Sequence, residues 1–81
     1  MNQQQVLEQI ASIVTRILTD KGENAPTITA NTELLSPEVG IDSLDLAMLV
    51  RELESVVGFD PFENGFIEFR TAGELAKLYE R

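Results

Sequence analysis

Seven apolar residues near the start of the chain, Val6, Leu7, Ile10, Ile13, Val14, Ile17 and Leu18, recur at steps of three and four. That spacing lays one apolar stripe along a helix over about residues 3–19. It does not fit a strand, whose faces alternate with a period of two. A striped helix cannot bury its apolar side by itself, so the rest of the chain must cover it. Asp20-Lys21-Gly22 ends the segment, with Gly22 suited to a left-handed cap. With 81 residues there is material for one core and not two, so 1–81 reads as a single domain.

The second striped segment begins at Asp42-Ser43 and runs to about Val57, where Gly58 closes it. Asp42 is a good N-cap, and Asp45 adds another acid to the first turn. Leu46, Leu49, Val50, Leu53 and Val57 form an inner stripe. Leu44, Ala47 and Met48 remain on a neighbouring face that continues to Arg51. That face either packs under a loop or stays open for a partner.

Residues 22–41 read as a long loop punctuated by Gly22, Pro26, Pro37 and Gly40. A loop of this length needs pinning in a compact chain. Ile28, Leu34, Leu35, Val39 and Ile41 are the available anchors, and Thr27-Ile28-Thr29 alternates without an evident partner strand. After Asp60-Pro61, the stretch Phe62 to Phe69 suits a short helical turn over the core, and Phe59, Phe62, Phe66 and Phe69 are assigned to that core. Thr71 and Glu74 have the capping-box spacing, opening a last helix with Leu75, Ala76, Leu78 and Tyr79 on its inner side. The predicted fold is all-α: a small antiparallel bundle of three main helices plus one short helix, with a long loop between helix 1 and helix 2.

Composition then narrows the function. There is no cysteine and no histidine. This removes disulfides, thiolate metal sites, and Ser-His-Asp or Cys-His catalysis. The acids are too scattered for a calcium loop. Fourteen acids against six bases give a net charge of −8. Nucleic acid and anionic membranes are poor partners for such a surface, and a basic protein is the better one. The start, MNQQQVLEQI, lacks the features of a signal peptide, and no apolar run is long enough to span a membrane. The expectation is a cytoplasmic monomer with no membrane insertion.

One constellation carries chemistry. Gly40-Ile41-Asp42-Ser43-Leu44 places a serine at the start of an acidic helix, just after the long loop. Free backbone N–H groups and the positive end of the helix dipole favour a phosphodiester there. A lone serine without a base is no hydrolase nucleophile, but another enzyme can modify it. This segment resembles the attachment motif of acyl carrier proteins. The likeness covers nearly the whole chain: apolar first helix, long loop, motif, acidic second helix, and Phe69-Arg70-Thr71 leading into a final helix.

The resemblance implies that Ser43 carries 4′-phosphopantetheine, donated from coenzyme A by a magnesium-dependent phosphopantetheinyl transferase. The thiol of that arm would hold acyl or aminoacyl groups as thioesters. A loading enzyme and downstream synthases of fatty-acid, polyketide, nonribosomal peptide or related pathways are then the partners. The chain itself would be non-catalytic. By the same resemblance Asp42 presents the serine, and the outer face of the second helix docks partners through Leu44, Asp45, Ala47, Met48, Arg51 and Glu52.

The charge map agrees independently. Residues 38–68 hold eight acids (Glu38, Asp42, Asp45, Glu52, Glu54, Asp60, Glu63, Glu68) and one base, Arg51, which is −7 of the total −8. Arg51 is expected to pair with Glu54 or Glu52. Met48 stands where the fatty-acid type of carrier usually has an acid, and Arg51 where an apolar residue is usual. Phe62-Glu63-Asn64-Gly65-Phe66 also departs from that type, which points to a dedicated carrier. The alternative is an unmodified acidic helical protein-interaction module.

Overall fold

The first helix, α1 (Gln3–Asp20), is started by a reciprocal cap. The Asn2 side chain accepts the Gln5 N–H at 2.8 Å, and the Gln5 side chain accepts the Asn2 N–H at 3.0 Å. Val6, Ile10, Ile13, Val14, Ile17 and Leu18 of its stripe are buried. The computed structural model describes residues 1–80, and those described residues hold two further helices, α2 (Ser43–Val57) and α3 (Ala72–Leu78). α1 packs against both, so its stripe is covered from two sides.

α2 buries Leu49 and Leu53 completely, with Leu46, Val50 and Val57 partly buried beside them. α3 is capped by Thr71, whose hydroxyl accepts the Glu74 N–H at 3.1 Å while the Glu74 carboxylate accepts the Thr71 N–H at 3.0 Å. It buries Ala72, Gly73, Leu75 and Ala76. Tyr79, just past its end, is fully buried, and its hydroxyl donates to the Val50 carbonyl at 3.2 Å. This bond ties the end of α3 to α2. Burial, with Asp60 and Glu54 nearby, pushes the phenol pKa upward.

The long loop is strapped to the chain that enters α3. Leu34 N–H donates to the Arg70 carbonyl at 3.0 Å, Ala72 N–H to Thr32 at 2.8 Å, and Gly73 N–H to Ala30 at 2.9 Å. Glu33 and Thr71 form an isolated antiparallel bridge. No strand forms at Thr27-Ile28-Thr29. The strap leaves Leu34, Val39 and Ile41 buried and Ile28 partly buried. Leu35 is corrected: expected as an anchor, it is 55% exposed, because the bridge turns its neighbour Leu34 inward instead.

The segment after Pro61 also differs from expectation. It contains no fourth helix: residues 61–64 form turns, and 66–70 run without regular structure. The Asp60 carboxylate accepts the Phe62 N–H at 2.8 Å, and Gly65 takes a positive φ of 134°, which breaks any helical continuation. Phe62 and Phe69 still pack on the core, and Phe59 lies against the Tyr79 ring. Phe66 does not join them. It stacks on Phe62 with ring centroids 5.7 Å apart and remains 77% exposed.

Gly73 shows how closely loop and helix approach. A Cβ there would lie 2.7 Å from the Ala30 carbonyl oxygen, inside van der Waals contact with backbone. Gly73→Ala gains about 1 kcal/mol in helix propensity. Displacing the strap costs about 1–3 kcal/mol, so a lowered melting temperature is expected. Leu49→Ala and Leu53→Ala should each cost about 2–5 kcal/mol in chemical denaturation, as fully buried large-to-small changes.

Candidate functional site

The start of α2 is built by its neighbours in sequence and by one residue from α1. Gly40, at φ 92°, turns the chain toward α2, and buried Ile41 anchors the approach. Asp42 is the N-cap in extended conformation. Its Oδ1 accepts the Asp45 N–H at 2.9 Å, and Asp45 Oδ2 accepts the Asp42 N–H at 3.1 Å. Asp45 Oδ2 also accepts a hydrogen bond from Lys21 Nζ at the end of α1. The ammonium, followed by the Asp42 N–H, holds the Asp45 carboxyl below the ordinary carboxylate range.

Ser43 occupies the first position of α2 and is exposed. Among the described residues its hydroxyl has no hydrogen-bond partner, and neither do the backbone N–H groups of Ser43 and Leu44. The site therefore offers a reachable hydroxyl beside two unsatisfied donors at a positive dipole end. An anionic group on the hydroxyl would meet donors there. The nearest buried carboxylate, Asp45, is already neutralised by Lys21. These residues fit a covalently attached phosphodiester. No cluster of metal-ligating side chains is found among the described residues.

The outer face of α2 is only partly as expected. Leu44 is 77% and Met48 51% exposed, and Ala47 and Arg51 are exposed with them. Asp45 is the correction. Expected on the docking face, it is buried at 7% exposure and turned toward Lys21. Glu52 pairs with Arg16 of α1, not with Arg51. Two acids of the acidic zone are thus engaged inside the chain.

One helical turn after Ser43, Leu46 lines an open cleft of about 390 Å³. Leu35, Pro37, Phe66 and Phe69 supply its other apolar walls, with Glu33 and Arg70 among the lining residues. Sequence reading did not assemble this cleft, whose walls come from the loop, α2 and the segment before α3. It also missed Lys21, whose partner lies 24 residues away.

The chain matches the phosphopantetheine attachment site family over residues 6–79. It belongs to that family. Members carry covalently attached 4′-phosphopantetheine, and the chain is accordingly a phosphopantetheine-carrying protein of the acyl-carrier type. No curated protein and no solved structure matches it. The match runs from Val6 in α1 through the strapped loop and α2 to the end of α3. No helix among the described residues is long and apolar enough to cross a membrane.

Two carboxylates of this carrier fold are more acidic folded than unfolded. Asp45 is stabilised by Lys21 and the Asp42 N–H, and Glu74 by the N–H groups of Thr71 and Arg70. As pH falls, the unfolded chain takes up these protons first. Their contribution to stability is complete above about pH 5 and is lost as pH drops through 4 and below. Thermal melts between about pH 3 and 7 should show that decline. Asp45→Asn and Glu74→Gln should each lower the neutral-pH midpoint and flatten the acid limb.

Proposed function

We propose that Ser43 is the attachment serine, and that the chain, as a single domain over 1–81, carries acyl or aminoacyl intermediates between biosynthetic enzymes. The observation that carries this reading is the exposed, unpartnered Ser43 hydroxyl at the capped N-terminus of α2, in a chain that matches the family from residue 6 to 79. When bound, the phosphopantetheine arm supplies a terminal thiol that holds the cargo as a thioester. The residues of the chain do the rest. Asp42 caps α2 and sets the backbone ahead of Ser43. The Ser43 and Leu44 N–H groups face the phosphate position.

Leu44, Ala47, Met48 and Arg51 form the docking face for a phosphopantetheinyl transferase, a loading enzyme and downstream synthases of fatty-acid, polyketide, nonribosomal peptide or related pathways. The free acids around this face, among them Glu38 and Glu54, steer basic partners, an attraction that weakens with salt. The apolar centre at Leu44 and Met48 gives docking an anchor that is read by shape. We read the chain as a non-catalytic, monomeric, cytoplasmic carrier dedicated to its own pathway. Met48 and Arg51 on the outer face support that specialisation.

Intact mass after incubation with coenzyme A, magnesium and a broad-specificity phosphopantetheinyl transferase tests the reading. One phosphopantetheine should be gained by the parent chain and none by Ser43→Ala, with both folded by circular dichroism. A folded, previously unmodified parent that gains no mass returns the acidic interaction module as the better account. Leu44→Glu and Met48→Glu should weaken partner enzymes while leaving the helical signal intact. Loss of that signal would assign these side chains to the core.

A further inference from the structure

Lys21 lies at the C-cap of α1, and Asp45 in the first turn of α2. Their ion pair closes the 22–41 loop at its base. One carboxylate oxygen, Asp45 Oδ2, takes both the Lys21 ammonium and the Asp42 N–H, while Asp42 Oδ1 takes the Asp45 N–H in return. Besides the Leu46 N–H donated to its carbonyl, the residue immediately before Ser43 is held by two hydrogen bonds with Asp45, which Lys21 ties to the end of α1. We propose that Lys21 is a positioning residue for the modification of Ser43, fixing through Asp45 the turn that presents the serine. This rests on the reading of Ser43 as the attachment site.

Burial makes the ammonium necessary. The Asp45 side chain is only 10% exposed, whereas that of Lys21 is 34% exposed. A carboxylate so enclosed, once stripped of its counter-ion, either takes a proton or swings toward water. Either change weakens its hold on the Asp42 N–H. No other base is placed to substitute. The charged groups that act on Lys21 are Asp45, Asp42 and Glu23, all acids. Arg51, the one base of residues 38–68, lies more than two turns further along α2 from Ser43. Arg16 and Glu52 join α1 to α2 further from Ser43, and both side chains are more exposed. That pair touches no group bonded to the serine's neighbour.

Steady-state transferase kinetics, with this carrier as the varied substrate, test the proposal. Lys21→Met should lower kcat by about ten- to a hundredfold, as misplacement of a reacting group does, with KM nearly unchanged because the outer face of α2 is untouched. Lys21→Arg should recover most of the loss. Leu53→Ala, a core change that destabilises without touching the motif, should modify at close to the parent rate under folding conditions. If Lys21→Met fails to fold, Asp45→Asn takes its place, with the same kcat loss expected. Unchanged kcat in the variant, a defect confined to KM, no recovery by arginine, or an equal defect in Leu53→Ala overturns the inference alone. No modification of the parent overturns the reading of Ser43 and this inference with it.

Discussion

Covering the apolar stripe of α1 is the constraint on which everything else hangs. Six of its side chains are buried, and no single partner covers them. α2 takes one side, through Leu49 and Leu53, and α3 takes another, through Leu75 and Ala76. α3 has only seven residues, too few to be stable as a helix in isolation. It persists because its apolar face packs on α1, its first turn is capped by Thr71, and Tyr79 anchors its end to α2. A chain of this size buries only about 60% of its unfolded surface, so each of these contacts matters to its stability.

The same economy explains the order of the long loop. Its backbone cannot leave buried polar groups unpaired. It pairs them with the chain entering α3, from Ala30 through Leu34, and sends Leu34, Val39 and Ile41 into the core. The loop thereby delivers Ser43 from a fixed direction. The strap sets one end of that path, and the Lys21–Asp45 pair sets the other. Its place at a helix start gives Ser43 an exposed hydroxyl without loosening the scaffold beneath it.

The acidic zone is less uniform than its residue count suggests. Asp45 and Glu52 are already paired with Lys21 and Arg16 of α1, so they hold the bundle's two longer helices together. The outer surface of α2 presents an exposed apolar centre, Leu44 and Met48, with Arg51 on the same helix and free acids such as Glu38, Glu54, Glu63 and Glu68 elsewhere in the zone. Contacts of that kind combine steering with a small apolar anchor. They would serve the carrier role we propose, in which several enzymes are bound and released in turn.

The three helices and their caps are legible along the chain because each depends on local spacing. Val6 to Leu18 declares one helix by its period, Asp42 and Thr71 declare starts by their side chains, and Gly58 declares a stop. The failures have a common cause. Phe66 and Leu35 are as apolar as their buried neighbours, and nothing local says which of Leu34 and Leu35 turns inward. The Glu33–Thr71 bridge makes that choice across 38 residues. Asp45 looks like a surface acid until Lys21 is brought to it from the far side of the loop. The short helix expected after Pro61 fails because Asp60 takes the Phe62 N–H and Gly65 adopts a positive φ, a local competition that the apolar pattern conceals. Periodicity and capping are properties of neighbours in sequence. Which face is covered, and which charge is neutralised, depends on contacts between residues that only the folded chain brings together.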